Sequence, residues 1–103
     1  MDYPTEIPGW LNDSETFYSG GPDKIRPSDG RVMAQISHTP LHYVQVVVNL
    51  AKRTFESWSQ TNVVDRAKTI RLATQLIKSK TTDIASIIYT ETGKSMKDAL
   101  AEI

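Results

Sequence analysis

The chain of 103 residues contains no cysteine. That single absence removes a disulfide framework, a thiolate zinc site and a cysteine nucleophile. Net charge is missing too, with twelve lysines and arginines against twelve aspartates and glutamates, so nothing draws the whole molecule toward nucleic acid or an acidic membrane surface. No apolar run approaches the roughly 18 residues needed to span a bilayer. The opening MDYPTEIPGW is acidic and broken by prolines, unlike the basic, apolar start of a signal or transit peptide. These absences predict a soluble, cytoplasmic protein with no membrane and no nucleic-acid partner. Helix breakers are also scarce beyond residue 30, where only Pro40 and Gly93 remain.

The charge that is present is segregated. Residues 1–30 hold six acids and two bases, residues 31–80 eight bases and two acids, and residues 81–103 four acids and two bases. Four of the five prolines and four of the five glycines fall in the first 30 residues, which predicts a loop-rich beginning, with residues 1–16 as a flexible N-terminal arm. From residue 17 the local signals strengthen. Lys24-Ile25-Arg26 and Val32-Met33-Ala34-Gln35-Ile36 alternate apolar and polar positions around Pro27-Ser28-Asp29-Gly30, the pattern of a β-hairpin with a tight turn. Two strands alone are marginal in water, so this hairpin must dock on something.

Thr39-Pro40 reads as an N-cap followed by proline in the first helical position. After it, Val44, Val47, Val48, Ala51, Phe55 and Trp58 fit a helical stripe, although Val46, Val48 and Leu50 also alternate as a strand would. The length of the run favours a helix. Asn62-Val63-Val64-Asp65 has the form of a capping box and opens an amphipathic helix to about Lys80. A third helix begins at Thr81 or Thr82, turns Ile84, Ile87 and Ile88 inward, and stops at Gly93. Ser95-Met96-Lys97-Asp98 starts a fourth that runs into Ile103 with no stop signal, so the sequence reads as a severed beginning.

Candidate chemistry is thin. His38 and His42 are four residues apart, but the helix start at Thr39-Pro40 separates them and no third ligand lies close in sequence, whereas a zinc site needs at least three. Lys52, Arg53, Arg66, Lys68, Arg71, Lys78 and Lys80 could form a phosphate-binding surface, yet they spread around two helices as a solvated exterior does. Arg66, in the first turn of its helix, opposes the dipole and is expected to have a carboxylate or carbonyl partner. Gly20-Gly21 is not a phosphate loop. Gly93-Lys94-Ser95 ends like a Walker motif, but position 88, where its first glycine belongs, is Ile88. No Ser/His/Asp grouping or paired carboxylates at a recognisable spacing appear.

From Phe17 to Ile103 an ordered series of short segments resembles the N-terminal part of the aldehyde dehydrogenase superfamily. Ile25-Arg26-Pro27-Ser28-Asp29-Gly30-Arg31-Val32 is similar to its opening hairpin, and Phe55-Glu56-Ser57-Trp58-Ser59 to the end of its first long helix. Asp65-Arg66-Ala67-Lys68-Thr69-Ile70 is similar to its E-R-A-x-x-L segment. Ile87 to Lys94 resembles its E-T-G-K helix end, and Ala99-Leu100-Ala101-Glu102-Ile103 the helix that follows. Leu41 to Val48 departs from it, with β-branched residues in place of an acidic, alanine-rich helix start. The resemblance implies an α/β parent fold, of which this chain is a mostly α-helical part with an N-terminal β-hairpin. Residues 17–103 would be the beginning of an incomplete cofactor-binding domain. It implies a parent enzyme that oxidises aldehydes to acids with NAD or NADP, through a cysteine nucleophile and a water-activating glutamate that the family places beyond this region. No catalytic, cofactor-binding or metal-binding residue carries over to this chain, and Glu91, Gly93 and Lys94 are read as helix-end architecture. The expected partners are a second copy of the chain or a full-length dehydrogenase, met through apolar helix faces.

Overall fold

The computed structural model describes residues 2–103. Its nine elements run in the order β1 (Glu6–Ile7), β2 (Gly9–Leu11), β3 (Ser14–Thr16), β4 (Asp23–Ile25), β5 (Val32–Ile36), α1 (Leu41–Trp58), α2 (Val63–Ser79), α3 (Thr81–Thr92) and α4 (Met96–Ala101). The expected hairpin is present as β4 and β5, antiparallel. Its turn is closed by Arg26 N–H donating to the Arg31 carbonyl at 2.8 Å and Gly30 N–H to the Arg26 carbonyl at 2.9 Å. Gly30 takes a φ of 69°, a conformation glycine adopts without a Cβ clash.

Within the loop-rich first 30 residues, three short strands precede the hairpin. β1 adds to the other edge of β5 in parallel, so the sheet order is β1-β5-β4. β2 and β3 form their own antiparallel ribbon around Asn12 and Asp13, whose φ angles of 53° and 63° are those of a two-residue hairpin turn with both central residues left-handed. Asparagine and aspartate tolerate that region better than other side chains.

β5 continues past its last strand residue by borrowing partners from both sides. Ser37 N–H donates to the Ile7 carbonyl at 2.8 Å, Ile36 N–H to the Pro22 carbonyl at 3.0 Å and His38 N–H to the Tyr18 carbonyl at 2.8 Å. This approach needs Gly21. A Cβ built there would lie 1.9 Å from the Ile36 carbonyl oxygen.

Three of the four helices start or stop where local chemistry says. Asn62 caps α2 by accepting from Asp65 N–H at 2.9 Å, and Ser95 caps α4 by accepting from Asp98 N–H at 3.1 Å. Gly93 ends α3 at a φ of 72°, its N–H donating to the Tyr89 carbonyl. At α1 the expectation shifts by one residue. Pro40, with a ψ of 143°, is the N-cap in place of Thr39, and no side chain caps that end. The extended ψ holds proline just outside the helix. α4 stops at Ala101, short of Ile103.

The buried core is small, comprising Ala34, Ala85 and Ala99. Ala34 of β5 is the deepest residue of the sheet, and Ile84, Ile87 and Ile88 of α3 are half-buried. Neither α1 nor α2 buries a residue. The architecture is therefore a small mixed sheet with helices, in keeping with an α/β fold, and it spreads over 49 × 34 × 17 Å.

Candidate functional site

Two concave surfaces stand out. The first is a notch of about 400 Å³ where the β4–β5 turn meets the end of α3, lined by Arg26, Ser28, Tyr89, Thr90 and Gly93. The glycine stop of α3 lets the chain turn beside Pro27, whose Cβ lies 3.5 Å from where a Gly93 Cβ would sit. Arg26 pairs with Asp29 at 3.2 Å, while its Nε is buried without a hydrogen-bond partner. The Thr90 hydroxyl donates to the Ser86 carbonyl at 2.8 Å, so it serves the helix and no base activates it.

Beside the notch, Glu91 of α3 ties together β4 and the segment before β1. One of its oxygens accepts from the Tyr3 hydroxyl, and the other lies 3.8 Å from Lys24 Nζ of β4. Burial, followed by the hydrogen bond to Glu91 and the charge of its carboxylate, pushes the Tyr3 phenol up to about 12. Lys24 and Arg26 bring cations toward the negative end of the α3 dipole. This is the chemistry of a clamp between sheet and helix. Glu91 and Gly93 thus serve as helix-end architecture, but Lys94 does not reach the α3 carbonyls. Its Nζ pairs with Glu102, because the turn at Gly93 lays α4 alongside it.

The second surface is an apolar groove of about 430 Å³ between the β2–β3 ribbon and α1, lined by Trp10, Leu11 and Asn12 on one side and by Val47, Leu50, Ala51, Thr54, Phe55 and Trp58 on the other. Of the α1 stripe read from the sequence, Val47, Ala51, Phe55 and Trp58 line that wall, whereas Val44 and Val48 do not. Both histidines are exposed, His38 before α1 and His42 in its first turn, its ring tilted against Tyr43 at 4.5 Å between ring centroids. Among the described residues no group of three His, Asp or Glu side chains is placed to hold a metal ion. Lys52, Arg53, Lys68, Arg71, Lys78 and Lys80 are all exposed. Arg66 Nε is buried with no hydrogen-bond partner among the described residues.

The described residues do not fit a nicotinamide dinucleotide. A strand passes into a helix through a short loop only at β5–α1, and that loop, Ser37-His38-Thr39-Pro40, carries no glycine to let a pyrophosphate approach the backbone. Sequence reasoning missed Tyr3, Gly21 and the Asn12-Asp13 turn. Only the last had a local signal, a pair of residues that tolerate positive φ. No described helix is long and apolar enough to cross a membrane.

A model of the aldehyde dehydrogenase family matches residues 14–103. A malonate-semialdehyde dehydrogenase of Bacillus cereus is 30% identical over 94 residues, which are 91% of this chain and 19% of that protein. Malonate-semialdehyde dehydrogenases of Bacillus cytotoxicus and Bacillus thuringiensis are 29% identical over the same length and coverage. The chain thus spans about a fifth of the length of these curated relatives. The matched stretch holds the β4–β5 hairpin, the Asn62 and Ser95 caps and the Gly93 stop in their expected order, and the chain belongs to the aldehyde dehydrogenase family, at its N-terminal segment.

Proposed function

We propose that this chain is the N-terminal scaffold of an NAD(P)-dependent aldehyde dehydrogenase, which in full length oxidises an aldehyde to a carboxylic acid, and that the chain alone is not catalytic. One observation carries the reading. The family match covers residues 14–103, and across that stretch there is neither a cysteine nor a glycine-bearing strand-to-helix loop for a dinucleotide. What the stretch does contain is clamps, caps and apolar helix faces. A cytoplasmic setting fits its lack of cysteine.

The test is spectrophotometric. The purified chain is mixed with NAD or NADP and a panel of aldehydes that includes malonate semialdehyde, for which the relatives are named. The expected outcome is no formation of reduced cofactor above the buffer rate; steady turnover overturns the proposal. A second reading, a small helical interaction protein that self-associates or binds a full-length dehydrogenase, is favoured by the exposed apolar residues of α1 and α2.

A further inference from the structure

Two of the four tyrosines meet across the fold. Tyr18, in the segment before β4, and Tyr43, in the first turn of α1, have ring centroids 5.2 Å apart and ring planes inclined by 37°, within the range of contacting aromatic pairs. Both are half-buried, so the fold holds them while part of each ring still meets solvent. The backbone of Tyr18 is fixed from two directions. Its N–H donates to Ser37 Oγ at 3.0 Å, and its carbonyl accepts from His38 N–H at 2.8 Å. Tyr43 is anchored by the first turn of α1, its N–H donating to the Pro40 carbonyl at 2.9 Å, and its ring also lies against His42. At the hydroxyl ends, a hydrogen bond with Tyr43 raises the Tyr18 phenol above its ordinary value, with desolvation and the charge of Tyr43 adding to it. Both partners lie within this chain, so the pair is complete whatever surface covers α1.

That geometry suits a coupling of the two rings. Loss of one electron and the hydroxyl proton turns a tyrosine into a phenoxyl radical. Its unpaired electron is shared between the oxygen and ring carbons, of which only the Cε pair beside the oxygen carries a hydrogen to lose. A hydrogen bond between the hydroxyls brings the Cε edges of the two rings together. One Cε–Cε bond forms, one C–H bond breaks in each ring, and those ring protons pass to the oxygens. The product is dityrosine, lighter than the pair by two hydrogen atoms; the two electrons go to the oxidant and the two phenolic protons to water. Such a link closes a loop over residues 18–43 that contains the whole β4–β5 hairpin and ties it to α1, a helix that buries no residue. Closing a loop limits the unfolded chain and so favours the folded one.

We propose that Tyr18 and Tyr43 are a site of oxidative modification, where a one-electron oxidant joins them as a dityrosine that staples the β4–β5 hairpin to α1. The inference goes beyond the dehydrogenase reading and is read out by a covalent product, not turnover, so either can fail without the other. The purified chain is illuminated with tris(bipyridine)ruthenium and persulfate; the ruthenium takes one electron from each tyrosine, and persulfate accepts both to become two sulfates. The expected result is the blue fluorescence of dityrosine on single chains, with tandem mass spectrometry placing the link at Tyr18 and Tyr43. The same reaction in concentrated urea, where the fold no longer holds the rings together, is expected to yield roughly tenfold less of that link. Tyr18→Phe and Tyr43→Phe are each expected to abolish it while helicity by circular dichroism is retained, and Tyr89→Phe to leave it in place. The linked chain is expected to melt at a higher temperature than the unlinked one. No link, a link only between chains, equal yield in buffer and urea, a link that survives either of the first two substitutions, or an unchanged midpoint overturns the proposal.

Discussion

Gly21 shows how much one hydrogen atom in place of a methyl can decide. The conflict of a Cβ with the Ile36 carbonyl involves backbone on both sides, so no rotamer change relieves it. Gly21→Ala is expected to destabilise the chain by about 1–3 kcal/mol, seen as a lowered thermal midpoint. Tyr3 works through a proton instead. Its phenol is raised to about 12 in the folded chain against about 10 when unfolded. The folded state thus holds that proton more tightly, and the stabilisation is complete below about pH 10 and lost as pH rises toward 12. Tyr3→Phe removes a hydrogen bond to a carboxylate at the partly exposed Glu91, at a cost of about 1 kcal/mol near neutrality. Thermal melts of both proteins at about pH 8 and about pH 11 check this: the gap between them narrows at the higher pH.

The helices divide by what holds them. α3 and α4 each bury an alanine, so packing backs their caps and stops. α2 buries nothing, and its first turn rests on the Asn62 cap and the return bond from Asn62 Nδ2 to Asp65 at 2.7 Å. Asn62→Ala is expected to cost about 1 kcal/mol and to lower the helical circular-dichroism signal, whereas Ser95→Ala, supported by buried Ala99, should leave it nearly unchanged. Caps and stops were legible in the sequence because each is made by residues within about five positions of one another. Thr39-Pro40 misled by one residue because proline suits both the cap and the first helical position, and the chain's extended ψ at Pro40 settles which.

As a whole the molecule is long for its mass. Its radius of gyration of 17.2 Å exceeds the roughly 13 Å of a compact domain of this length, and three alanines make a core that cannot offset the entropy of ordering about 100 residues. Burial of α1 and α2 against another surface has to supply the difference. If the rest of a longer chain supplies that surface, the 103 residues alone are expected to melt at a lower thermal midpoint than within it, which calorimetry of the two checks.

The sequence by itself determined the β4–β5 hairpin, the four helices and the family, since periodicity, caps and turns are short-range physics written in adjacent residues. Only the tertiary structure decided that Glu91 joins Tyr3, 88 positions away, to Lys24, that β1 pairs in parallel with β5, that Gly21 must admit a carbonyl, and that Arg66 keeps a buried Nε unpartnered. Those contacts lie between residues distant in the chain, and neither composition nor spacing encodes which distant groups will meet. The same holds for the apolar stripes of α1 and α2: the pattern made them amphipathic, and no other described residue of these 103 buries them.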